Sequence, residues 1–278
     1  MSRLEKLKIV TQYELLKQFR RKRFIGALII VIFAQILMIG FYHGLNIPEA
    51  LSNPSIGITI QDTPELFAMF VTSMSAIAIL AAVFFSGDAI ASEFEHGTGY
   101  MLFPNPVRRT TLVIGKYLAC FIATAIILGL AYLVSAGALV GFYGEIPLGI
   151  LGSLAIALMM ACCVISIAFA FSSALKGGMG ATIATLLIFM VISPIISSSL
   201  AYAGYNPWFM PDRAGDAVGA TYGVPFEEIT GGFYGGGQMM GGMLQASQDP
   251  IRSFFVLTAY AVVLFLISIW MTKRREFV

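Results

Sequence analysis

The sequence predicts an all-α integral membrane protein with six transmembrane helices and both termini in the cytoplasm. The chain of 278 residues is 58% hydrophobic and only 12% charged, whereas soluble domains are about 45–50% apolar and about 25% charged. Its apolar residues fall into six runs, each near or above the roughly 20 residues that a helix needs to cross a bilayer. Lys and Arg are concentrated in alternate connections, as in cytoplasmic loops. Soluble enzyme classes are therefore excluded.

Polar or turn-forming segments separate the six apolar runs. A basic segment, residues 1–23, precedes the first run, which is too long for the apolar core of a signal peptide (about 7–15 residues). Pro194 is expected to kink the fifth span, because proline breaks the helical hydrogen-bond ladder. The spans are predicted at residues 24–44, 66–86, 112–142, 148–174, 179–202 and 253–271, joined by connections at 45–64, 88–111, 143–147, 175–178 and 203–252.

The positive-inside rule orients these spans in the membrane. Of the 17 Lys and Arg residues, all but Arg213 and Arg252 lie near the amino terminus, between residues 88 and 116, at Lys176 or in the carboxyl-terminal tail. We therefore expect one transmembrane domain over residues 1–278, with segments 1–23 and 88–111 in the cytoplasm and segment 203–252 outside.

Charge and cysteine usage exclude several partners. The formal net charge is +2, and the basic residues are sorted by membrane side rather than gathered on one face, so nucleic acid is not an expected partner. Cys120, Cys162 and Cys163 lie inside apolar runs, which indicates neither a disulfide framework nor a metal site. We interpret them as small packing residues.

The spans offer no catalytic site or proton relay. Their centres hold no ionisable residue, and Gln35 is expected to make an interhelical hydrogen bond. His43 and His96 fall on opposite sides of the bilayer, so no nucleophile and base share a cavity. The Gly-Lys pair at residues 115 and 116 lacks the rest of a phosphate-binding loop. We predict no catalytic residue and no bound metal.

The second cytoplasmic connection carries the most informative pattern. Gly97 suits the end of a helix, and Thr98 suits the start of a short new turn. The turn presents an apolar cluster outside the bilayer core, which is costly to leave in water. Either membrane lipid or another protein covers this cluster, and the residues alone leave both readings open. The cluster consists of Tyr100, Met101, Leu102 and Phe103.

The spacing Glu93-x3-Gly97-Thr98, then Pro106-x2-Arg109, then Gly115-Lys116 resembles the signature of the type-2 ATP-binding-cassette (ABC) permease family. The resemblance implies six helices, an amphipathic segment before the first and a short coupling helix between the second and third. It also implies a dimer of two permease copies, identical or related, on two ATPase subunits in the plasma membrane. The first 20 residues, however, spread apolar side chains over several helical faces instead of one stripe.

The resemblance also implies roles for individual residues. Glu93, Gly97 and Thr98 would form the coupling turn, and the apolar cluster would meet a cleft of the ATPase. Arg109 and Lys116 would anchor the turn to membrane lipid and to the third helix. This chain would hold no cofactor, because ATP and Mg bind the partner. The coupling residues so implied are Glu93, Gly97, Thr98, Tyr100, Met101, Leu102, Phe103, Pro106, Arg109, Gly115 and Lys116.

Two functions follow as hypotheses. The first is a permease subunit that moves a substrate across the membrane, in the export direction typical of the family, with substrate-binding residues that the sequence does not identify. The second is a membrane scaffold or assembly factor that binds an extracytoplasmic partner through segment 203–252. Residues 231–243 of that segment are rich in Gly and Met and suit a gating or partner surface or a flexible loop, and only poorly a Cu(I) site.

Overall fold

The computed structural model of the chain describes residues 3–20, 22–52, 61–72, 75–95, 109–175, 177–224 and 248–274. These ranges form helices joined by turns, and they contain no β-strand. Six helical spans are long and apolar enough to cross a membrane, which confirms the predicted number. The side of the membrane on which the termini lie stays a prediction.

The helices agree closely with the predicted spans. The second span consists of α4 (Pro64–Thr72) and α5 (Ser75–Ser86), and the fifth consists of α9 (Gly178–Leu187), a π-helical turn and α10 (Ser193–Tyr202). The bounds are α1 Arg3–Arg20, α2 Lys22–Gly44, α3 Ile47–Leu51, α4 Pro64–Thr72, α5 Ser75–Ser86, α6 Ala91–Glu95, α7 Arg109–Tyr143, α8 Gly149–Ala174, α9 Gly178–Leu187, the π turn Ile188–Ile192, α10 Ser193–Tyr202, α11 Pro211–Ala220 and α12 Pro250–Arg274.

The fourth span, α8, lies at the centre of the bundle. It packs against α5, α7, α9, α11 and α12, and residues such as Ala161, Val164 and Ile165 are fully buried along it. The first, fifth and sixth spans lie at the periphery and expose apolar side chains, including Phe33, Ile183 and Leu266. Lipid tails are as apolar as these side chains, so such faces suit a membrane or a neighbouring helix.

Polar side chains inside the bundle are hydrogen-bonded between helices. The Gln35 amide nitrogen of α2 donates to the Val71 carbonyl oxygen at 3.2 Å and to Ser135 Oγ at 2.5 Å, which confirms the predicted interhelical role. Tyr222 lies just after α11, and its hydroxyl accepts from Thr72 Oγ1 at 2.9 Å. These bonds satisfy polar groups that would otherwise be costly in an apolar interior.

The predicted loop 203–252 contains an additional helix, α11. It begins with Pro211, which suits a first helical turn because proline lacks the N–H that such a turn leaves unpaired. Its residues Ala214, Ala217 and Val218 repeat at helical spacing and are buried against the bundle. Charged residues interrupt this short apolar pattern, so the sequence predicts only a loop here.

Glycine lets the second and fifth spans touch near the end of α5. A Cβ atom added at Gly87 would lie 2.4 Å from Thr182 Oγ1 and 2.9 Å from Thr182 Cα. No real side chain accepts such a distance to a backbone atom, so one helix must move if residue 87 is larger.

Gly87→Ala should therefore destabilise the fold by about 1–3 kcal/mol through overpacking. Gly137→Ala is the matched control, because nothing lies within 4 Å of a Cβ atom at that position of α7. We expect a lower temperature for loss of the monodisperse peak in detergent with Gly87→Ala alone. Equal stability of the two variants would contradict the close packing.

Candidate functional site

The amino-terminal helix α1 lies along the first turns of α7, at the end of the bundle that leads into residues 96–108. Gly115 makes this contact close, since a Cβ atom there would lie 2.6 Å from Val10 Cγ1. The buried face of α1 is polar and includes Glu14 and Gln18, whereas apolar Tyr13 is 69% exposed. The helix is thus held by these polar contacts together with the apolar contacts of Val10 and Leu15.

A buried ion network joins α1, α6 and α7. Lys116 is only 5% exposed, and its Nζ lies 3.0 Å from Glu14 Oε1 and 2.6 Å from Glu93 Oε1. Lys17 Nζ lies at the edge of the same group, 3.9 Å from Glu14 and 3.8 Å from Glu93. The two carboxylates and two ammonium groups balance in charge.

Because the network is buried, its ion pairs hold α6 in position. A buried ammonium group loses its hydration and needs nearby carboxylates to offset that cost. Removing one partner of a buried ion pair typically costs about 3–5 kcal/mol, because a charge is left uncompensated. Glu93 is therefore held by ion pairs with Lys17 of α1 and Lys116 of α7, just before the chain enters residues 96–108.

Gln18 extends the network to the end of the second span. Its Nε2 donates to the Phe85 carbonyl oxygen at 3.1 Å, and Cys120 Sγ of α7 donates to the same oxygen at 3.0 Å. Carbonyls at the end of a helix lack an intrahelical partner and are satisfied by side chains of this kind. Helix α1 thus contacts the second and third spans at one point.

Two further contacts brace the segment between α5 and α6. Arg23, in the first turn of α2, forms an ion pair with Asp88. Ser172 Oγ of α8 accepts from the backbone N–H groups of Ile90 at 3.0 Å and Ala91 at 2.8 Å. This hydroxyl satisfies N–H groups at the start of α6 that have no intrahelical acceptor.

The structure describes four of the sequence-predicted coupling residues. It brings Glu93 and Lys116 together, places Gly115 in the contact with α1, and begins α7 at Arg109. Lys116 points into the protein, where Glu14 and Glu93 are its partners. The remaining residues lie outside the described ranges: Gly97, Thr98, Tyr100, Met101, Leu102, Phe103 and Pro106.

The sequence reasoning missed Glu14, Lys17 and Gln18 as members of this site. Glu14 and Gln18 lie four residues apart and so share one face of a helix. This spacing is the sequence signal that could have identified a polar contact face on α1. In the described part of the chain, no three His, Cys, Asp or Glu side chains come together as a metal site would require.

Comparison with models of protein families gives a match over most of the chain. A family model described as "ABC-2 family transporter protein" matches residues 9–277, a stretch that includes all six spans and every member of the ion network. No curated protein matches the chain.

Lys116→Met should remove the buried cation and leave Glu14 and Glu93 with only the partly exposed Lys17, which should lower stability by about 3–5 kcal/mol. Lys17→Met is the matched control, because the Lys17 side chain is 39% exposed and exposed ion pairs contribute about 0–1 kcal/mol. Heating in detergent before size-exclusion chromatography measures both. Similar losses for the two variants would show that Lys116 is not the central cation.

Proposed function

Because the chain belongs to the ABC-2 transporter family, we propose that it is the transmembrane permease subunit of an ABC transporter that exports a substrate. A separate ATPase subunit hydrolyses ATP, with ATP and Mg bound on that subunit. The chain itself is non-catalytic and pairs with a second permease copy in the plasma membrane. The observation that carries this proposal is the buried network of Glu14, Lys116 and Glu93.

The proposal assigns the ATPase-binding role to the segment that follows α6. Residues 96–108 contain the apolar cluster Tyr100 to Phe103, and the described chain enters this segment at the end of α6, two residues after Glu93. A partner that moves this segment would act on Glu93, whose carboxylate lies 2.6 Å from Lys116 of the third span. Because the network links this segment to the third span, it supports a segment that docks on a protein, in preference to a turn that only lies on lipid.

The network also suggests how motion reaches the membrane. Through Glu14 and Gln18, α1 contacts α7 and the end of α5, so a displacement of α6 acts on all three helices together. Closure of two ATPase subunits would then pull the corresponding ends of two permease copies together as rigid bodies. Such a movement changes which side of the membrane the cavity between them faces.

The distribution of charge supports the proposed orientation. Both ends of the chain and the segment around α6 hold most of the Lys and Arg residues, which places them in the cytoplasm, where the ATPase is. Arg23 and Arg109 lie in the first turns of α2 and α7, near the headgroup level where basic side chains meet lipid phosphates.

Met101→Glu and Phe103→Glu should reduce recovery of the ATPase with the tagged chain from native membranes at least tenfold, a loss equivalent to about 1.4 kcal/mol or more. A charge in the apolar cluster would have to be desolvated on docking. Leu148→Glu is the matched control, since Leu148 is 91% exposed and lies just before α8, beyond the opposite end of α7. Mass spectrometry of the bound proteins gives the readout.

Thermal stability is measured in parallel, so that misfolded variants are recognised. Equal ATPase recovery with all three variants would refute docking through the cluster. Recovery of no ATPase with the unmodified chain, at several salt concentrations, would refute the permease proposal, leave residues 96–108 as a lipid-facing turn and favour a function that does not depend on ATP.

A further inference from the structure

The fifth span is interrupted within its length. The backbone N–H of Ser193 donates to the Ile188 carbonyl oxygen, five residues earlier, instead of the usual four. Pro194 follows and has no N–H to continue the ladder. A π-helical turn beside a proline is a place where a helix bends at low cost, and such turns are frequent at functional sites.

The two halves of this span are held differently. The first half, α9, packs against α5, α6 and α8 in the body of the bundle. The second half, α10, packs chiefly on the short helix α11, and its side chains Ile195 and Tyr202 are 59% and 63% exposed. The interruption thus separates a fixed half from a half with one main support.

A single carboxylate joins α10 to that support. Asp212 Oδ1 accepts hydrogen bonds from Ser193 Oγ at 2.5 Å and from Ser197 Oγ at 2.9 Å. The two serines lie one turn apart on the same face of α10, and both are buried. Hydrogen bonds to an ionised acceptor are shorter and stronger than neutral ones, and a carboxylate is favoured at the start of a helix.

Helix α11 is itself fixed in the bundle. Ala214 and Ala217 are fully buried, and the Thr221 carbonyl oxygen fits against Gly149, where a Cβ atom would approach to 2.6 Å. The Tyr222 hydroxyl, just after α11, bonds to Thr72 of the second span. Of the two helices joined by Asp212, α11 is therefore the anchor and α10 the element able to move.

We propose that α10 is a hinged gate, with the π turn Ile188–Ile192 as its hinge and the bonds of Asp212 to Ser193 and Ser197 as its latch. Opening breaks both bonds and swings α10 away from α11 while α9 stays packed. The latch rests only on this geometry, whereas its use for substrate release rests on the proposed transport function.

Spin-label distances test the latch on the full chain, in a background in which the three cysteines are replaced. Labels at Ile196 on α10 and Leu151 on α8 occupy exposed positions on the moving and fixed elements. Unlabelled chain is mixed in, so that only distances within one copy are read. Asp212→Asn weakens the acceptor, and Ser193→Ala with Ser197→Ala removes both donors. Both variants should add a second, longer-distance population.

Asp216→Asn is the matched control, because Asp216 lies on α11 one turn from Asp212 and its side chain is 57% exposed. It should leave the distances as in the unmodified chain. The proposal is overturned if Asp212→Asn leaves a single unchanged population, or if Asp216→Asn opens α10 equally. A broad distribution together with reduced thermal stability would show general loosening instead of a hinge, and would also overturn it.

The ATPase recovery described above separates this proposal from the proposed function. Unchanged distances with the ATPase still recovered would remove the latch and leave the permease function. A second population in the absence of any ATPase partner would keep the latch and remove its role in transport.

Discussion

The buried charge of Lys116 is the constraint on which the arrangement of one end of this bundle depends. An ammonium group with 5% exposure requires carboxylates within contact distance, and these come from α1 and α6. Meeting that requirement fixes the amino-terminal helix against the third span and fixes the segment that precedes residues 96–108. Gly115 allows this arrangement, because a side chain there would separate α1 from α7.

At the opposite end of the bundle a carboxylate also joins two helices, but through hydrogen bonds instead of ion pairs. Asp212 joins α10 to α11 through two serine hydroxyls, whereas Lys116 is held by two full charges. Asp212 is partly exposed, so water can replace the two hydroxyls when they separate, and these bonds open at lower cost than a buried ion pair. The helices around Lys116 are therefore expected to move as a unit, whereas α10 is expected to separate from α11 at the other end.

Between these ends, the small side chains of α8 set the spacing of the bundle. Helices α5, α7, α9, α11 and α12 pack on this span, and its central residues include Ala161 and Cys163, both fully buried. The peripheral spans keep apolar faces outward, as a bilayer permits. A displacement that begins at α6 thus acts on a well-packed centre, and interiors of this density transmit shifts rather than absorb them.

The sequence by itself determined the six spans and the polar connections between them, because transfer into a bilayer depends on the apolar content of contiguous residues. It also identified Glu93, Gly115 and Lys116 as residues of interest. Only the tertiary structure decided that Glu14, 102 residues before Lys116, completes its ion pairs, that α11 fills a predicted loop, and that Asp212 meets α10. Such pairs join residues far apart in the chain, and a one-dimensional hydropathy pattern holds no information about which of them meet.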